Sequence, residues 1–253
     1  MSDFHSFSIT HLLMIVMFAA FTALIIRLGR IWKDTPRARA LDATLALIAI
    51  VFWVIDHGRW MLPGSFDPAV ALPIHICNLA GLCVPIVLLT RIRAFRALLY
   101  FWGIGLSTQS IITPDLVIGP ATFGFWMYWI NHTIVIGVPI YDVVARGYRP
   151  TWRDYGYVTL IGLAYLAIVI PLDIRLHANY GYVGNAMSKQ ASIVDYLGSW
   201  PLRIVWILLL GQLAMALLML PFEVFSRLED PTSPFSPRGH AGFSRSTPRG
   251  RGG

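Results

Sequence analysis

Charge is scarce in this chain: 13% of its 253 residues are Asp, Glu, Lys or Arg, against 56% hydrophobic and a mean hydropathy of +0.63. Soluble domains carry about 25% charged residues, so a soluble exterior is excluded. Cysteine is almost missing. Cys77 and Cys83 lie six residues apart in one apolar stretch, which excludes a disulfide framework and matches no metal-ligand spacing. Lysine is as rare. Lys33 and Lys189 are the only lysines and both fall between apolar stretches, so no span holds the lysine that a retinal Schiff base would need.

What the chain does have is long apolar runs, at residues 9–28, 41–60, 69–90, 94–113, 121–145, 155–174 and 200–225. Each approaches or exceeds the roughly 20 residues a helix needs to cross a hydrocarbon core of about 30 Å. With no water in the bilayer to satisfy backbone N–H and C=O groups, such runs are expected as helices. The expected fold class is all-α, a polytopic bundle of seven transmembrane helices.

The cations orient that bundle. Arg27, Arg30, Lys33, Arg37 and Arg39 follow the first run; Arg91, Arg93 and Arg96 follow the third; Arg146, Arg149 and Arg153 follow the fifth; and five more arginines follow the seventh, making 16 of the 20 Lys and Arg. By the positive-inside rule the N-terminus lies outside, the C-terminus in the cytoplasm, and the span count is odd. The net charge of +7 then records orientation and does not call for nucleic acid. The first run is expected to stay as a mature helix, since its positive charges follow it. Residues 226–253, rich in Pro, Gly, Ser and Arg, read as a disordered basic cytoplasmic tail appended to a membrane domain at 1–225.

Polar residues inside the spans cluster toward the outer side. Asp56 and His57 end the second run; His75, Cys77 and Asn78 open the third; Thr108, Gln109, Thr113 and Asp115 close the fourth; Asn131 and His132 lie in the fifth; Asp173, Arg175, His177 and Asn179 end the sixth. At 1.5 Å per residue, His75 sits about 9 Å and His132 about 16 Å below the outer surface. Little comparable is expected in the inner half. Polar groups at such depth face a bundle interior or a water-filled cavity, so one pocket opening outward or into the outer leaflet is expected. Ordinary readings stand beside this. A membrane histidine can simply bond across helices, a lone cysteine can be a packing residue, and Asp56, Arg59, Asp115 and Asp173 suit helix caps and interfacial ion pairs. Trp126, Trp129, Trp200 and Tyr128 suit aromatic belts and packing.

A thiol in apolar surroundings stays protonated unless a base activates it. His75, two positions from Cys77 and about 200° around a regular helix, points away from it; His132 on another helix is freer to approach. Proline at positions 73 and 85 can bend the third helix and reopen that choice. Asn78 or Gln109 can donate to a developing oxyanion. The same outward cluster also suits a small-solute transporter or channel, and pairs among His57, His75 and His132 suit a b-type haem.

Leu72-Pro73-Ile74-His75-Ile76-Cys77-Asn78-Leu79 resembles the hallmark of the YwaF-like bacterial membrane proteins, a family related to the transmembrane protein 164 acyltransferases. Gln109 to Asp115, Trp129 to His132, Asn179 to Val183, Asp195 to Pro201 and Leu220 to Phe222 match as well, so the resemblance spans about residues 8–225. It implies a multi-pass enzyme of the bacterial cytoplasmic membrane that moves fatty acyl groups between membrane lipids, with no metal or other cofactor. Carried over residue by residue, Cys77 is the nucleophile and His132 the base, with His75, Asn78, Gln109 and Asn131 in support. Two departures, Lys189-Gln190-Ala191 in place of a proline-bearing segment and Leu202-Arg203 in place of aromatics after Trp200-Pro201, bear on which lipid is handled.

Overall fold

The computed structural model describes residues 3–185 and 196–229, with side chains described through residue 224. All regular secondary structure among the described residues is helical: α1 (Ile9–Ile31), α2 (Pro36–Gly58), α3 (Ile76–Thr90), α4 (Arg93–Leu98), a π-helical segment (Leu99–Leu106), α5 (Gln109–Ile112), α6 (Phe123–Val144), α7 (Trp152–Leu176), α8 (Leu202–Leu217) and α9 (Leu220–Glu229), with single 3₁₀ turns at Arg59–Met61 and Tyr180–Tyr182. Its boundaries follow local chemistry. The Ser8 hydroxyl accepts from the His11 N–H at the start of α1, Pro36 occupies the first turn of α2, and Thr151 and Asp154 form a reciprocal capping box on α7. Each satisfies or removes an N–H that the first turn would otherwise leave bare.

Four stretches are long and apolar enough to cross a bilayer: Ile9–Ile31, Pro36–Met61, Trp152–Leu176 and Leu202–Val224, with α3 a shorter apolar helix. The chain is therefore a polytopic membrane bundle. Three of the seven expected runs are not single unbroken helices: the seventh is divided into α8 and α9 by a turn at Leu218 and Met219, and the third and fourth depart further. Residues 69–75 precede α3 as irregular chain, because Pro73 has no N–H to donate and the segment is held from outside. The Leu72 N–H donates to the Tyr180 hydroxyl at 3.0 Å, which donates to the Pro68 carbonyl at 2.8 Å, and the Tyr165 hydroxyl donates to the Ile74 carbonyl at 2.9 Å. His75 is consequently the N-cap residue of α3 and not a residue within it.

The fourth run breaks into α4, the π-helical segment and α5. Its wider turn is closed by the Ser107 N–H donating to the Trp102 carbonyl at 2.9 Å, five residues back, the register that defines a π-helix. Gly103 allows that segment to lie on α6, since a Cβ there would collide with the Val135 carbonyl. Small residues serve the α1–α6 contact too, where a Cβ on Gly137 would come within 2.9 Å of the Thr22 hydroxyl. In lipid no hydrophobic force draws helices together, so close backbone approach and interhelical polar bonds carry the association.

The strongest polar bonds lie at the end of the bundle where the loop arginines are. Asp42 of α2 accepts from Arg146 at 2.8 Å, from Arg91 at 3.3 Å and from the Tyr141 hydroxyl of α6. Arg146 also donates to the carbonyls of Gly29 and Ala38. Arg96 grips Asp142 at 2.7 and 2.8 Å, and Arg93 grips Asp154 at 2.9 and 2.6 Å. The expectation of little polar chemistry in this half is thus corrected. Carboxylates scattered singly along the sequence meet arginines that composition reads only as topology markers. α9 runs to Glu229, past the boundary drawn at 225; Lys189-Gln190-Ala191, Asp195 and residues 230–253 lie outside the described residues.

Replacing Arg146 with Met leaves Asp42, its side chain 5% exposed, a buried charge short of its main partner, at an expected cost of about 3–5 kcal/mol. Arg93→Met removes a guanidinium that is 57% exposed and leaves Asp154 its Thr151 bonds, for about 1 kcal/mol or less. Thermal unfolding of the two variants in one detergent checks this ranking, and equal losses would refute it.

Candidate functional site

At the opposite end of the bundle a cavity of about 1000 Å³ opens among α2, α3, the π-helical segment, α6, α7 and α8. All six site residues singled out above line it: His75, Cys77, Asn78, Gln109, Asn131 and His132. They arrive from three separate parts of the chain. Asp56, Arg59 and Tyr128 share the wall.

Cys77 is the second residue of α3, in its first turn, two positions after the cap His75. Its thiol donates to the Asn78 side-chain carbonyl at 3.6 Å, and backbone groups of Asn78 and of Cys77 itself lie within hydrogen-bonding reach of the sulfur. That position faces the positive end of the helix dipole. Neither His75 nor His132 hydrogen-bonds to the sulfur among the described residues. Cys83, six residues further along α3, is buried, and its thiol donates to the Leu79 carbonyl at 3.4 Å; it belongs to the core.

The hydrogen bonds of the histidines decide their tautomers. His132 places Nδ1 2.7 Å from the Tyr128 carbonyl. A carbonyl only accepts, so Nδ1 carries the proton and Nε2 is left with a lone pair. His75 is the reverse. Its Nδ1 accepts from the Gly181 N–H at 3.3 Å, so in the neutral ring the proton is on Nε2. His57, stacked on Trp53 with ring centroids 4.4 Å apart, donates through Nδ1 to the Trp53 carbonyl at 2.8 Å. The three histidines thus present one basic nitrogen, one donor and a second basic nitrogen. Both His57 and His132 are within electrostatic range of His75, and Asp56 is within range of His132 and Cys77.

The supporting residues divide. Asn78 ties Cys77 to α2 through the Trp53 indole, which donates to its backbone carbonyl at 3.1 Å. The Gln109 amide donates to the Thr113 hydroxyl at 3.4 Å. Asn131 faces Gly81 of α3, where a Cβ would stand 3.5 Å from its side-chain oxygen. Asp56 and Arg59 form an ion pair at 2.9 Å within one helical turn, as the helix-end reading expects. Asp173 accepts from the Tyr180 N–H at 2.9 Å and so holds the turn whose next residue, Gly181, donates to His75.

Two partners escape sequence reasoning. Tyr128 reads as an aromatic-belt residue, yet its ring lies 4.2 Å from that of His132 and its hydroxyl donates to the Ser110 carbonyl at 2.8 Å; the i, i+4 spacing to His132 is the signal that marks the pair. His11 of α1 is buried, accepting from the Phe7 N–H and donating through Nε2 to the Ile111 carbonyl, both at 2.8 Å, and clamps the first residues against α5. Among the described residues no cluster of three or more His, Cys, Asp or Glu is arranged to hold a metal.

A family model described as the TMEM164 family matches residues 6–219. A protein of Treponema pallidum (strain Nichols), described only as an uncharacterized protein, is 24% identical over 212 residues, covering 83% of this chain and 84% of its own length. No solved structure matches.

Because Cys77 lines the cavity and Cys83 is packed in the core, N-ethylmaleimide is expected to modify Cys77 at least about tenfold faster, reactivity following access to the thiol. Peptide mass spectrometry of a time course reads this directly; equal labelling would place Cys77 away from the opening.

Proposed function

The chain belongs to the TMEM164 family, and from that premise we propose that it is a lipid acyltransferase working through a covalent acyl-Cys77. The observation that carries this reading is the tautomer of His132, whose Nε2 lone pair and the Cys77 thiol share one cavity. A nucleophile and a base in one apolar chamber of this size suit an ester with long apolar tails.

In the first half-reaction His132 Nε2 takes the thiol proton and the sulfur attacks the ester carbonyl of a donor lipid. The oxyanion that forms is met by amide donors from Asn78 and by the Nε2–H of His75. Collapse breaks the ester C–O bond. His132 returns its proton to the departing alkoxide, which leaves as a lysolipid, and the acyl group remains as a thioester on Cys77. In the second half-reaction His132 deprotonates the hydroxyl of an acceptor lipid, that oxygen attacks the thioester, and the new ester leaves with the thiol restored. Asp56, within electrostatic range of His132, stabilises the imidazolium in both halves. Cys77 and His132 keep other hydrogen-bond partners here, Asn78 and Tyr128, which is ordinary for catalytic groups whose mutual bond forms only around a bound substrate.

We place the chain as seven spans in a bacterial cytoplasmic membrane, the N-terminus outside, the arginine-bearing end cytoplasmic and the cavity toward the outer leaflet. The alternation of arginines between the apolar runs and the gathering of Arg91, Arg93, Arg96 and Arg146 at one end of the bundle support it.

Purified protein incubated with a phosphatidylcholine carrying a labelled acyl chain and an unlabelled lysolipid is expected to transfer the label and to carry a hydroxylamine-sensitive acyl mass on Cys77. His132→Ala is expected to lower transfer by about 10²–10⁴-fold, the range of a general base, and Cys77→Ala to abolish both signals. Wild-type transfer by Cys77→Ser and His132→Ala would sink the mechanism. Solute flux in proteoliposomes that survives Cys77→Ala, without transfer, would assign the cavity to a transporter.

A further inference from the structure

The cavity is not confined to the polar cluster. From His132 and Cys77 it continues past Trp102 and Leu106 of the π-helical segment into the space between α7 and α8, where Gly162, Leu166, Leu208 and Gly211 form its wall. Two polar or packed junctions bound this limb. At one end the Tyr155 and Thr159 hydroxyls of α7 both donate to the Gln212 amide oxygen of α8, at 2.6 and 3.0 Å. At the other, Tyr165, Val169, Leu166, Ile204 and Ile207 pack together. Between them the helices are held apart. A Cβ added at Gly162 would meet nothing within 4 Å, and one at Gly211 would meet first the tip of Leu106 at 3.2 Å. Leu163 and Leu210 also line the cavity, yet they are 47% and 46% exposed, so the limb opens sideways onto the surface that faces lipid.

We propose that this limb is the acyl-chain site: a chain enters laterally between α7 and α8, its ester reaches Cys77, and Gly162 and Gly211 determine the length accepted. The inference rests on the acyltransferase reading and adds where the chain lies and which residues measure it. A polar head of the cavity joined to an apolar limb with a side opening matches an ester on a hydrocarbon tail. A soluble polar solute would have no use for a wall of leucine, tryptophan and bare glycine. The two glycines have no helical reason to be there, since either costs about 1 kcal/mol against alanine within a helix. What they supply is width.

The test reads chain position apart from catalysis. Cys77→Ala protein in phosphatidylcholine vesicles is loaded with a phosphatidylcholine bearing a diazirine at the end of a long acyl chain, irradiated and digested. Adducts are expected on residues 162–166 and 207–214, and to fall at least tenfold in the same protein carrying Gly162→Leu. A probe with an eight-carbon chain is expected to label both equally. Gly162→Leu fills open space and favours helix, and Gly162→Ala provides a milder step if leucine lowers yield. In the Cys77 protein, Gly162→Leu is expected to shift transfer toward shorter chains. Adducts spread over lipid-facing α1 at Leu12, Leu13 and Val16 and unchanged by Gly162→Leu would overturn the proposal, as would transfer with an unaltered chain preference. In that case the acyltransferase reading stands. Absent transfer with the expected adduct pattern leaves the chain site in place and removes the chemistry.

Discussion

Asp42 is a carboxylate almost without water on which three donors converge, and the bundle is registered around it. Arg146 and Tyr141 reach it from α6 and the residues just after, and Arg91 from the end of α3, while Arg146 extends the tie to Gly29 of α1. In hydrocarbon, helices do not stick by burying apolar surface, because lipid offers the same. A buried charge that must keep its partners therefore sets position where apolar packing cannot. Along α2, α3 and α6 the distance from this junction to Asp56, Cys77 and His132 is about 21, 21 and 14 Å at 1.5 Å per residue. One end of the bundle is pinned by charge, and the other is left open enough to hold a cavity.

At the open end, backbone groups decide where the imidazole protons sit. His132 and His57 each spend Nδ1–H on a carbonyl one helical turn back, at Tyr128 and Trp53, which keeps Nε2 basic without any charged partner. His75 is held the other way by a residue 106 positions distant, Gly181, in the turn that Asp173 and Tyr180 secure. The same turn supports the irregular segment before α3 through the Tyr180 hydroxyl. The loop after α7 thus sets both the start of the helix that bears Cys77 and the orientation of the ring at its N-cap position.

Much of this was legible in residue order. Apolar runs of about 20 residues identify membrane helices because only closed backbone bonding survives in lipid, and the intramembrane His, Cys, Asn and Gln that the sequence groups toward one side do line one cavity. The sequence set His75 and His132 apart by their place on the helices, and the structure sets them apart by their hydrogen bonds. Helical periodicity put His75 on another face of α3, whereas the chain makes it a cap with its Nδ1 occupied. The irregular residues 69–75 and the pairing of Asp42, Asp142 and Asp154 with Arg146, Arg96 and Arg93 are set by partners 46 to 112 positions away, and no local pattern encodes them.

Amino-acid order alone establishes the class of fold and the inventory of reactive groups, since hydrophobic length and the cost of burying polar atoms are properties of each segment taken separately. Which of those groups share a chamber, which imidazole nitrogen keeps its lone pair, and where α7 and α8 part around Gly162 and Gly211 are decided only by the folded bundle. They depend on distances between segments that meet because a few buried charges and tyrosine hydroxyls hold them there.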